Sequence, residues 1–276
     1  MIANYIKILL RSVAQVMFQN NAWTGLVFLL GIFVSSLDAG LGALLGTMVA
    51  VLTARALNYN KSDIENGIFG YNGTLVGVAI IYFFSLNWIS IILIIIGSIL
   101  SALLVRWFQK IKLSAYTAPF VISTWLVLLV VKLIPLNYAG QSVGLEATNL
   151  ELFSGVTKGF AQVMLQGNAV TGLLFLLALF ISYKKAAWLG LAGSVLGLVV
   201  AWIFSLPLLM INLGLFGYNA VLCLVAFQND KSFRWQGALA VVFSVFITYF
   251  MDTIGIFALT APFVISTWLF RDFLGG

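Results

Sequence analysis

The stretch TAPFVISTWL occupies residues 117–126 and returns, letter for letter, at 260–269. Each copy sets a proline, Pro119 or Pro262, inside a long apolar run. Proline lacks a backbone N–H and fits best in the first turn of a helix, so each copy is expected to start one. Thr117 and Thr260, two residues ahead of the rings, offer hydroxyls at those starts, and Ser123, Thr124, Ser266 and Thr267 offer more one turn on.

Two further blocks recur in the same order. QVMFQNNAWTGLVFLL (15–30) matches QVMLQGNAVTGLLFLL (162–177) at 12 of 16 positions, and IFGYNGTLVGVA (68–79) matches LFGYNAVLCLVA (215–226) at 7 of 12. The offsets are 147, 147 and 143 residues, so the second copy is shorter by about four residues between its second and third blocks. The chain is a tandem duplication. It divides into a first repeat at 1–131, a connection at 132–159 and a second repeat at 160–276, which together form one transmembrane domain because neither half alone would enclose a pathway.

Of the 276 residues 62% are hydrophobic and 8% charged, and the mean hydropathy is +1.11. Water-soluble domains do not show that combination, and uncharged windows of this length suit helices crossing about 30 Å of hydrocarbon. The same runs exclude a β-barrel. The basic N-terminal stretch MIANYIKILLR has no small-residue cleavage site and reads as retained. One cysteine, Cys223, forms no internal disulfide, and the lack of histidine removes the usual proton shuttle and the commonest metal ligand, so no cofactor is expected. The net charge of +6 reads as membrane orientation rather than as affinity for nucleic acid or anionic lipid, while membrane lipid is an expected partner of the apolar surface.

Charges divide the first half into apolar windows at 13–37, 39–54, 66–85, 88–105 and 113–131, and the second at 160–182, 186–204, 208–227, 235–251 and 253–270. Five windows per repeat predict five transmembrane helices each, plus re-entrant half-helices. An odd number inverts the second repeat. Equivalent loops then differ in charge: Arg106, Lys110 and Lys112 precede the first TAPF where Asp252 precedes the second, and Lys184 and Lys185 follow the second QVM block where Asp38 follows the first. With both termini cytoplasmic, Lys7, Arg11, Arg55, Lys61, Arg106, Lys110, Lys112, Lys184, Lys185, Lys231, Arg234 and Arg271 lie inside, and only Lys132 and Lys158 outside. The 132–159 connection, with Pro135 and several glycines, is external on this threading.

Uncharged polar residues interrupt the windows in both halves: Gln15, Gln19, Asn20, Asn21 and Thr24, answered by Gln162, Gln166, Asn168 and Thr171. Amides at that depth either join helices or line a passage, and their recurrence favours the passage. FGYN at 69–72 and 216–219 reads as a helix break that frees backbone carbonyls, or as close glycine packing. No charge falls mid-window, which argues against ion-coupled transport and intramembrane hydrolysis. Amides, hydroxyls, carbonyls and rings suit a small, neutral, planar solute rich in donors.

QVMFQNN with NAWTG, FGYNGTLVG and the two TAPF blocks resemble the repeated signatures of the urea transporter family, over nearly the whole chain. The resemblance implies an all-α membrane protein of two inverted repeats around a central pore, a homotrimer, and channel-like passive movement of urea without a cofactor. Phenyl slots would hold urea flat while a ladder of oxygens accepts its N–H groups. By motif, the mouth oxygens would come from Gln15 and Gln162, and the first ring from Phe18, with Leu165 where the family has phenylalanine. Tyr71 and Tyr218 would form the other slots, Leu75 and Leu222 the apolar constrictions, and Thr117 and Thr260 the central hydroxyls. The family's proline three residues before each threonine is replaced by Ser114 and Phe257. A channel for another small neutral solute, a short amide, ammonia or water, is the alternative. Short loops and compact length point to a bacterial inner membrane.

Overall fold

A computed structural model describes residues 2–132, 147–230 and 235–274. The chain forms two compact units, Met1–Ser142 and Val143–Gly276. The first contains α1 (Ile2–Gln15), α2 (Ala22–Ser35), α3 (Leu37–Ala56), α4 (Lys61–Glu65), α5 (Gly70–Phe84), α6 (Trp88–Lys110) and α7 (Ala118–Lys132). The second contains α8 (Leu152–Ala161), which tightens into a 3₁₀ turn (Gln162–Met164), then α9 (Ala169–Ser182), α10 (Lys184–Ile203), α11 (Leu208–Asn212), α12 (Gly217–Ala226), α13 (Trp235–Thr253) and α14 (Ala261–Thr267). A π-helical turn (Trp268–Phe273) continues α14. Among the described residues there is no strand, and the element order is the same in both units.

Among the described residues four helices are long and apolar enough to cross a membrane: α3, α6, α10 and α13. The remaining windows are not single spans. α2, α5 and α7 have 14 or 15 residues and α12 has 10, which at 1.5 Å per residue reach roughly 15 to 22 Å. The windows at 13–37 and 160–182 each break between two helices, and α8 with its 3₁₀ turn meets α9 at a bend of 74°. Hydropathy alone did not separate these broken segments from full spans, because the residues of the break, though partly polar, carry no charge. The polar connection proves partly helical, since α8 begins at Leu152 as the counterpart of α1. Pro135, Lys231 and Arg234 lie outside the described residues.

The breaks have a repeated backbone cause. Left-handed residues stand at five equivalent pairs: Phe18 and Leu165 (φ 60° and 54°), Asn58 and Ser205, Gly67 and Gly214, Lys112 and Gly255, and Tyr116 and Leu259 (φ 40° and 46°). Outside glycine that conformation costs about 1–2 kcal/mol per residue, so each bend must be held by its surroundings. After the first break a side-chain cap restarts the helix in both copies. The Asn21 side-chain oxygen accepts from the N–H groups of Trp23 and Thr24, and that of Asn168 from Val170 and Thr171.

Small residues set how closely the helices approach. Gly42 and Gly46 on α3 face Gly77 and Gly73 on α5, each pair four residues apart. A Cβ on Gly42 would lie 2.7 Å from the Gly77 carbonyl oxygen, and one on Gly46, Gly73 or Gly77 would run into the backbone oxygen opposite it. Thr47 and Thr74 hydrogen-bond across this crossing at 2.7 Å. In the second unit Gly193 and Gly197 of α10 meet the backbone at Ala220 of α12 and at Phe216 immediately before it.

Several charged side chains in each unit meet partners near one another. In the first, the Arg55 guanidinium lies 4.5 Å from the Tyr5 ring centroid, Arg106 lies 5.7 Å from that of Tyr59, and Gln109 donates to Asp63 at 3.1 Å. In the second, Lys185 donates to the Asp230 carbonyl at 2.7 Å and Arg271 lies 3.6 Å from its carboxylate. On α6, Trp88 and Trp107 are exposed and 19 residues apart, about 28 Å of helix, with exposed Ile92, Ile96, Ile99 and Leu103 between them. Indoles that far apart match the two interfaces of a bilayer.

Candidate functional site

In the first unit the site begins at the last residue of α1. Gln15 donates from Nε2 to the Asn66 carbonyl at 2.9 Å. A carbonyl only accepts, so the partner fixes which end of the amide is nitrogen. Oε1 forms no hydrogen bond among the described residues and remains available as an acceptor. One turn earlier Arg11 donates from Nη1 to the neighbouring carbonyl, Glu65, at 3.1 Å. Two carbonyls leading into the left-handed Gly67 are thus held from the same face of α1.

The break after Gln15 turns at Phe18, and the Gln19 amide steadies it by donating to the Met17 carbonyl at 2.7 Å. The Phe18 ring meets the Tyr116 ring edge to face, centroids 6.1 Å apart. Tyr116 is the left-handed residue immediately before Thr117, and its carbonyl accepts from the Tyr71 hydroxyl and from Asn72 Nδ2. Asn72 also accepts, through Oδ1, from the Phe120 N–H at 3.0 Å. TAPF does start a helix, as its proline predicts. The acceptor for the N–H of its third residue, Phe120, comes from FGYN, 48 residues away.

The second unit repeats this plan with changed side chains. Gln162 donates from Nε2 to the Leu213 carbonyl at 3.2 Å, with Oε1 again unengaged among the described residues. Gln166 donates to the Met164 carbonyl at 2.7 Å beside the left-handed Leu165. The Tyr218 hydroxyl donates to the Leu259 carbonyl at 2.7 Å, and Asn219 accepts from the Phe263 N–H at 3.2 Å. Thr260 precedes α14 without capping it through its side chain. Leu75 and Leu222 follow the tyrosines by one helical turn and are fully buried. Thr117 is fully buried and Thr260 nearly so.

The structure therefore brings Phe18, Tyr71 and Thr117 around Tyr116, and Tyr218 and Thr260 around Leu259. Both tyrosine hydroxyls bond to backbone rather than standing free. Sequence reasoning missed Tyr116 and Leu259; their position just before the two threonines was the available signal. It also missed that the aromatic pair Phe18 and Tyr116 becomes the aliphatic pair Leu165 and Leu259. No cluster of metal-ligating side chains occurs among the described residues.

A family model described as "Urea transporter" matches residues 6–273. Urea transporter 1 of Rattus norvegicus is 29% identical over 292 residues, covering 95% of this chain and 75% of its own length. Urea transporter 1 of Ovis aries is 27% identical over 296 residues, covering 96% and 76%.

Proposed function

Because the chain belongs to the urea transporter family, a family of transporters and not enzymes, we propose that it conducts urea passively down its gradient. Its path would be lined by Gln15, Phe18, Tyr71, Leu75 and Thr117 and by Gln162, Leu165, Tyr218, Leu222 and Thr260. The observation that carries this reading is the repeated tether of Gln15 and Gln162, whose nitrogens are tied to backbone and whose oxygens are left to accept. Urea is planar, carries four N–H donors and keeps its hydration only while those donors are satisfied. Fixed acceptors at each mouth can replace water without reorganising, and rings or leucines can hold the flat faces. Membrane depth without a mid-window charge suits a neutral solute and no coupling ion.

A second reading, a short amide, is favoured by one feature. Leu165 and Leu259 stand where the first unit has an aromatic pair, which makes the second slot less planar. Ammonia is disfavoured by the absence of histidine. Inverted repeats, the homotrimer, the bacterial inner membrane and cytoplasmic termini belong to the same proposal, supported by the loop charges and the family resemblance.

Stopped-flow light scattering of proteoliposomes would test it, comparing urea with formamide, acetamide and ammonia against empty vesicles. Fast urea flux insensitive to pH and voltage is the expected result. Flux of an amide with no urea flux would transfer the assignment to that amide. Thr117→Val and Thr260→Val, nearly isosteric, each remove a hydroxyl worth about 1 kcal/mol to a bound donor, so urea flux should fall about fivefold in each. Unchanged flux at wild-type expression would remove the threonines from the path.

A further inference from the structure

The four-residue spacing between Arg11 and Gln15 recurs as Lys158 and Gln162, so a cation precedes each mouth glutamine by one helical turn. In the second copy the spacing is seen directly, since the Gln162 N–H donates to the Lys158 carbonyl. The structural duty of the first cation is not copied with it. Arg11 donates to the Glu65 carbonyl, whereas the equivalent carbonyl, that of Asn212, accepts instead from the Ser154 hydroxyl at 3.3 Å. Lys158 makes no side-chain hydrogen bond or ion pair among the described residues, although the residue as a whole is half-buried. Arg11 likewise makes no ion pair there, its Nε is buried without a partner, and the nearby Glu65 carboxylate is taken by Lys61 at 4.0 Å. Lys158 is also one of the two cations that the charge asymmetry leaves on the far side.

We propose that Arg11 and Lys158 are selectivity residues, a positive charge at each mouth that excludes cations of urea's size and shape, guanidinium above all. This rests on the reading that Gln15 and Gln162 face the solute. Guanidinium is planar, trigonal and rich in N–H donors, so slots and acceptor oxygens that suit urea suit it as well. Shape and hydrogen bonding do not separate the two; charge does. Low-dielectric walls focus the field of a fixed charge into a narrow cleft, and a neutral solute passes through without feeling it.

The test is uptake of labelled urea and labelled guanidinium into proteoliposomes carrying the full chain. Wild type is expected to take up urea and exclude guanidinium. Lys158→Gln should lower the urea-to-guanidinium ratio about tenfold with urea uptake unchanged, while Lys158→Arg keeps the ratio. Raising salt from about 10 mM to about 1 M on the wild type should reproduce the loss, because the screening length shrinks from about 30 to about 3 Å. A merely structural lysine would not respond to salt. A wild type that moves no urea overturns the transport reading and this one together. A wild type that moves urea, but whose exclusion of guanidinium resists both salt and Lys158→Gln, overturns this proposal alone.

Discussion

Replacing Gly77 by valine is expected to prevent the first unit from folding. A Cβ at this position would lie well inside contact distance of the Gly42 carbonyl oxygen of α3, which belongs to main chain that no rotamer can move aside. Overpacking costs about 1–3 kcal/mol where side chains yield, and more where they cannot. The neighbouring contacts at Gly46 and Gly73 hold the same crossing, so α3 and α5 would have to part along their whole interface and break the Thr47–Thr74 hydrogen bond. Purified Gly77→Val protein should elute as aggregate in detergent, or melt at least about 10 °C below wild type. Gly167→Ala supplies the control, because a Cβ there meets only a side-chain nitrogen at 4.0 Å. A Gly77→Val protein that is monodisperse with a wild-type melt would refute the close approach.

The second large effect is expected from Asn72→Ala. Pro119 has no N–H to cap, so Asn72 supplies an acceptor to the next donor of the helix start, Phe120, where both residues are fully buried. Losing it orphans a buried donor at about 1–3 kcal/mol and leaves a small cavity beside Tyr116. Destabilisation of about 2–4 kcal/mol should follow, read as a lower melting temperature. Transport should fall further than stability, because the helix start that Asn72 ties down carries Thr117. A melting temperature within a degree of wild type would show that the bond contributes little.

Much of this architecture is legible in the sequence for a definite reason. Repetition turns weak signals into strong ones: a single TAPF could be a kink, but two copies with matched polar blocks identify helix starts at Ala118 and Ala261. Asn21 and Asn168 are likewise recognisable as polar interruptions, though hydropathy does not reveal that they cap α2 and α9. The bends at Phe18 and Leu165 were hidden because neither residue type advertises a left-handed backbone. Nor does a tyrosine in an apolar run disclose where its hydroxyl points. At Tyr71 and Tyr218 the answer is a carbonyl more than 40 residues away in sequence, which local pattern does not encode.

The glycine crossing of α3 and α5 also bears on time. Helices whose main chains touch have no cushion of side chains over which to slide, because displacement by one residue would drive a Cβ into a carbonyl. The first unit is therefore stiff against sliding of α3 along α5, and collective motions of packed helices run in microseconds to milliseconds. Exposed side-chain rotamers turn in picoseconds to nanoseconds. If transit needs only the latter, turnover is paced by the exchange of hydration for fixed acceptors, and the throughput of one molecule is that of an aperture rather than a revolving door.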